Sequence, residues 1–251
     1  MFGYRGASDE VAARQSWQLI AAASTVRRGS TAAGSAGRTP SSRAAEDRHA
    51  RFGTEYLPGD QMSAEPQRRL ILHMSVSLDG FVARSDGVID WLTPPDGPDH
   101  GATRHQANLE MIGQVGLIVI GRGAYEDMVR AWPSSDSPMG RLINRLPKVV
   151  FSDSLNTVEW ENARLNEAPL EQEIPRLKGE SGQDILVFGG GHIGHSLIRH
   201  RLVDELRLTV HPVALGDGIS LMHGLPEPQR FELVSATVYA DGSVSQALRP
   251  T

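Results

Sequence analysis

From residue 70 onward the chain carries four short apolar runs: Leu70–Ser77 (LILHMSVS), Val115–Ile120 (VGLIVI), Lys148–Phe151 (KVVF) and Ile185–Phe188 (ILVF). Each has strand length and little alternation, the pattern of strands covered on both faces of a parallel sheet. Between them the spacing predicts helices over Ala102–Ile112, Ala124–Ala131, Met139–Leu146, Leu170–Lys178 and Ile193–Leu202. The fourth contains Pro175, which removes one helical hydrogen bond. Strands alternating with helices predict an α/β domain with layered helices. Glu205–His211 (ELRLTVH) alternates with period two, and Phe231–Tyr239, Asp241-Gly242 and Ser243–Leu248 read as a hairpin. The expected body is therefore a mostly parallel mixed sheet with an antiparallel C-terminal edge.

Residues 1–66 follow another pattern. Gly29–Arg51 is mostly Ser, Ala, Gly and Arg without apolar period, so it buries too little surface to offset its ordering entropy. We expect a disordered extension over 1–66 and a folded domain over 67–251. Residues 8–28 have the makings of a short helix capped by Ser8, marginal in isolation. Asp9 and Glu10 oppose reading Trp17–Val26 as the apolar part of a signal peptide. Met62 is an alternative natural start.

Composition narrows the function classes. The chain of 251 residues has no cysteine and a formal charge of −5. It therefore has no disulfide or thiolate metal site, in keeping with a cytoplasmic protein. No apolar run reaches the roughly 18 residues of a spanning helix, so no membrane partner is expected. Residues 1–61 hold 8 Arg against 6 acids with few aromatics. That is a poor nucleic-acid arm, and no nucleic-acid partner is expected. His192, His195 and His200 share one segment, but nothing nominates the further ligand a metal requires, so no metal is expected.

The glycines carry the chemistry. Gly189, Gly191 and Gly194 satisfy G-x-G-x-x-G between a strand and a helix. A Rossmann site would need an acid about 20 residues on, where His211 and Pro212 stand, and too little chain follows for its remaining units. The physical logic survives: bare main chain lets amides approach a ligand, and the helix start favours an anion. A tight turn without a ligand is the alternative. A second junction places Gly121 and Arg122 after Val115–Ile120, with the guanidinium at a helix start. Arg is unfavourable there unless an anion lies between, or unless it is exposed at a tolerated cost. A third strand ends in Ser152. Three such exits suit a ligand with several phosphates.

SVSLDGFVA (75–83), Asp90-Trp91, VIGRGAYE (119–126), VVFSDSL (149–155), VFGGGHIG (187–194), HPVALGDG (211–218) and the YADGSV hairpin stand in this order. Together they resemble the dihydrofolate reductase fold, most closely the reductase domain of bifunctional riboflavin-biosynthesis proteins and its stand-alone relatives. The resemblance spans about 68–249. It implies a three-layer α/β/α sandwich and an NADPH-dependent reductase of a pyrimidine- or pterin-like small molecule, with activity like that of 5-amino-6-(5-phosphoribosylamino)uracil reductase. A non-catalytic nucleotide-binding module of the same fold is the alternative.

The resemblance also implies roles. Gly189, Gly190 and Gly191 lie against the cofactor pyrophosphate, with His192 and Ile193 opening the helix. Gly121 and Arg122 lie near the adenosine phosphates, joined by Ser152. Val82 and Ala83 cover the nicotinamide. Ser75, Ser77, Asp90 and Trp91 face the substrate, although packing is the commoner role of a Trp. Asp79 is either a proton donor or relay, or the anchor of its own Asp-Gly turn. Relatives often have Thr where Ala124 stands, and Ser or Arg where Asp153 stands. Asp153 suits a free ribose 2′-hydroxyl, so NADPH is expected with NADH not excluded. No basic cluster for a substrate phosphate is visible, which points to an unphosphorylated substrate. A homodimer is implied, with 213–218 near the contact.

Overall fold

The computed structural model describes residues 67–92 and 102–251. The expected extension, the helix over 8–28 and the Met62 start lie outside the described residues. An eight-stranded sheet in the order β5-β4-β3-β6-β1-β7-β10-β9 forms the centre. Its strands are β1 (Leu70–Ser77), β3 (Leu117–Gly121), β4 (Lys148–Phe151), β5 (Ala163–Asn166), β6 (Ile185–Phe188), β7 (Glu205–His211), β9 (Phe231–Val238) and β10 (Val244–Pro250). The first six positions in that order pair in parallel; β10 pairs antiparallel with β7 and with β9. A two-stranded ribbon joins β2 (Phe81–Ala83) to β8 (Ile219–Ser220).

Strand period decides which face each side chain meets. Leu70, Leu72, Met74, Val119, Ile185 and Val187 enter one core, closed by α4 (Leu170–Lys178) and α5 (Gly191–Arg199). Ile71, Ile118, Ile120, Val150 and Leu186 enter the other, closed by α1 (Ala102–Gly113), α2 (Arg122–Ala131) and α3 (Pro138–Arg145). The result is the expected three-layer sandwich. Pro175 sits inside α4 without ending it, since the packing of Ile174 and Leu177 outweighs one absent bond.

Lys148 is a fully buried cation. Its Nζ donates to the carbonyls of Asn144 (3.2 Å), Leu146 (2.8 Å) and Glu161 (3.1 Å), using all three N–H groups at the end of α3. Burial lowers its pKa to about 8, and the Trp160 ring lies 4.7 Å away.

Candidate functional site

The helices after β3 and β6 leave adjacent parallel strands for opposite faces: α2 joins one core and α5 the other. Such a switch leaves a crevice at the strands' C-terminal ends, where ligands of open α/β sheets gather. Both helices begin two residues before the positions the sequence pattern predicts, at Arg122 and Gly191. Neither has a side-chain cap. The first amides of each helix therefore have no acceptor within it.

The glycines do two different jobs. Gly189 (φ 72°) and Gly190 (φ 92°) hold left-handed backbone that L side chains rarely adopt. They turn β6 into α5. Gly121 and Gly191 are bare because neighbours fill the space. A Cβ on Gly121 would stand 3.0 Å from Ile193 Cγ2, and one on Gly191 would stand 2.3 Å from Val82 Cγ2 and 3.0 Å from Ile219 Cγ2. At these two positions the absent side chain serves packing. The Ile193 side chain, 7% exposed, packs against both junctions, at Gly121 and at Gly190. Val82 and Ala83 are buried, and Val82 packs on Gly191 at the glycine turn. His192 is exposed at the helix start. Arg122 is 52% exposed and bonds Glu126 one turn on (3.1 Å). Ser152 lies further out, at the exit of β4, where its Oγ accepts from Ser154 N (3.2 Å) and Leu155 N (3.0 Å) in its own turn. It follows Phe151, which pairs with Gly121 in the β3–β4 register. Asp153 is exposed.

Asp79 ties the turn after β1 to the loop at 215–216. Its carboxylate accepts from Ser77 Oγ (2.6 Å), Leu215 N (3.1 Å) and Gly216 N (2.7 Å). These donors, Ser77 first, hold its pKa at about 2. A group so held has no proton to donate at neutral pH. Ser77 also accepts from Phe81 N (2.9 Å), so one buried hydroxyl joins the end of β1 to the start of β2.

The other predicted residues gather across β1. His211 stands opposite Ser77 in the β1–β7 register. Its Nε2 lies 3.3 Å from Ser75 Oγ, and Trp91 meets its ring edge to face at 5.5 Å. Trp91 Nε1 is buried without a hydrogen-bond partner among the described residues. Burial, reinforced by Arg104, lowers the His211 pKa to about 4, so the ring is neutral at physiological pH. Arg104 of α1 bonds Asp241 and Ser243 (2.9 Å) of the hairpin. Asp90, beside Trp91, bonds Arg84 (2.7 Å). Sequence reasoning did not single out His211, Arg104, Asp241 or Ser243. One signal was present: the alternation of β7 puts Glu205, Arg207, Thr209 and His211 on one face of an interior strand. β6 and β7 flank β1, so the glycine turn and His211 lie on either side of β1, with His211 further along the strand direction.

Two uncapped helix starts beside a buried polar cluster, at the C-terminal ends of one mixed sheet, define an α/β domain with its candidate site at those strand ends. The chain belongs to the RibD C-terminal domain family, whose model matches residues 68–245. It is 31% identical over 183 residues to the uncharacterized protein YyaP of Bacillus subtilis, covering 71% of this chain and 93% of YyaP. It is 25% identical over 155 residues to the riboflavin biosynthesis protein RibD of Corynebacterium ammoniagenes, covering 60% of this chain and 45% of that one. The fold is shared with the Thermotoga maritima diaminohydroxyphosphoribosylaminopyrimidine deaminase/5-amino-6-(5-phosphoribosylamino)uracil reductase. That match has a TM-score of 0.53 at 16% identity, over 74% of this chain and 57% of the other. Among the described residues no helix is long and apolar enough to cross a membrane.

Proposed function

We propose that this chain is a nicotinamide-dinucleotide-dependent reductase of a small heterocyclic molecule. The observation that carries the reading is the pair of uncapped helix starts converging at the β3–β6 switch. The donor set fits a pyrophosphate: amides of Gly191, His192 and Ile193 from one helix and the Gly121-Arg122 start of the other. The Arg122–Glu126 pair is exposed, so turning the guanidinium toward an anion costs little. Arg122 favours NADPH; Asp153 is the residue that opposes a 2′-phosphate. A reduced nicotinamide bound here supplies a hydride to an unsaturated carbon of the substrate. The proton that completes the reduction comes from solvent, since Asp79 is held ionised. Val82 and Ala83 exclude water on one side. Asp79 positions the loop 215–216 against β1 and is a positioning residue.

Titration with NADPH and NADH, followed by turnover assays on pyrimidine and pterin acceptors, tests the proposal. We expect tighter binding of NADPH and oxidation of it with an acceptor. Binding without turnover on any carbonyl or imine would favour the non-catalytic module. No binding of either dinucleotide would end the reading.

A further inference from the structure

The His211 cluster contains two cationic side-chain types, and neither is available to an anion. Arg104 is 16% exposed and is committed to Asp241, whose side chain is 4% exposed, and to Ser243 Oγ. Asp241 is fixed in turn by Ser243, which donates to it from N (2.9 Å) and from Oγ (2.6 Å). His211 is 8% exposed and is kept neutral by burial and by that same guanidinium. The remaining groups are uncharged: the Ser75 hydroxyl, and the Trp91 indole N–H, which is buried and has no partner among the described residues. A phosphate brought to this place would shed its hydration and meet the Asp241 carboxylate, and no uncommitted cation stands opposite it among the described residues of the cluster. An uncharged ring loses little hydration and finds an N–H donor and a hydroxyl–imidazole pair along its edge.

We propose that Asp241 is a specificity-determining residue: by holding Arg104 it makes the cluster beside β1 select an uncharged heterocycle and reject the phosphorylated form of the same ring. This rests on the cluster being the substrate end of the proposed reductase. It separates this chain from a reductase of phosphoribosylated pyrimidines, because the cation needed for that phosphate is present but already neutralised. The acceptor is then a free base or nucleoside-like compound.

Uridine and uridine 5′-monophosphate are matched probes, one pyrimidine with and without phosphate; riboflavin and its 5′-phosphate form a second pair. Their affinities are measured by calorimetry on the full chain with NADP⁺ saturating, so that the dinucleotide crevice is occupied. NADP⁺ binding is titrated separately, so failure of the cofactor reading shows as loss of that signal alone; the same probe titrations on the chain without dinucleotide still decide this proposal. In the wild type we expect the uncharged member of at least one pair to bind tenfold or more tightly than its phosphate. Asp241→Asn, nearly isosteric, should release the guanidinium and raise affinity for the phosphate tenfold or more. Arg104→Gln should abolish that gain when added to Asp241→Asn. Equal or tighter binding of both phosphates by the wild type overturns the proposal, as does binding of neither pair. The wild-type comparison stands even should the variants fold poorly.

Discussion

At the scale of single residues, the site depends on a few positions with no latitude. Gly190 at φ 92° and ψ 97° takes a conformation closed to side chains, and its Cβ would also press on Ile193 at 3.1 Å. Gly190→Val should cost about 1–3 kcal/mol of stability and weaken dinucleotide binding, both readable by urea unfolding and by titration. Full stability and affinity would make the turn permissive. Arg122→Ala should weaken NADPH by about 1–3 kcal/mol through a lost charge-assisted bond while leaving NADH nearly unchanged. An equal loss for both dinucleotides would move Arg122 away from the 2′-phosphate. Asp79 was legible as important from its Asp-Gly setting, yet the sequence alone left its task open. Its partners at 215 and 216 lie far along the chain, and they make it a permanent acceptor. A pH–rate profile should therefore show no ionisation from Asp79 between pH 5 and 9.

Among the elements, strands were the legible part. β1, β4, β6 and β7 lie where their apolar or alternating runs predict, because interior strands tolerate few polar residues. The β2–β8 ribbon and β5 were not legible: runs of 2–4 residues carry no period. The helix starts at Arg122 and Gly191 were read late, since arginine opposes the dipole at a helix start and glycine is a poor helix former. His211 and its companions were hidden for another reason: Arg104 and Asp241 come from segments distant in sequence. Lys148 shows the same non-local logic. Removing it would take a donor from the carbonyls of Asn144, Leu146 and Glu161, and Asn144 would keep its bond from Asn162 Nδ2. Lys148→Met should cost about 2–4 kcal/mol in denaturant unfolding without altering dinucleotide affinity. A loss under ~1 kcal/mol would mean that water replaces the ammonium.

For the whole molecule, two buried rings set the response to acid. His73 and His211 both have folded pKa values lowered to about 4 from 6.5, each chiefly by burial. The unfolded chain binds their protons first, so stability should fall as pH drops from 6.5 to 4. Asp79, Glu173 and Asp241 are held at about 2, so what they contribute is complete above the unfolded carboxylate range and disappears only toward pH 2. Calorimetric Tm values should decline below pH 6.5; a flat Tm from 6.5 to 4 would contradict the burial of both rings. The outer sheet is a second whole-molecule feature. Val238, Val244 and Val210 form one row and Leu233, Leu248 and Leu206 another, with Val238 75% and Leu233 56% exposed. Finally, β1 sits between β6 and β7, pairing Leu70 with Ile185 and Ser77 with His211. β1, the first described strand, gains its parallel sheet neighbours only once residues 185–211 are made. A nascent chain halted before residue 185 would leave β1 without either neighbour and would offer this apolar segment to chaperones.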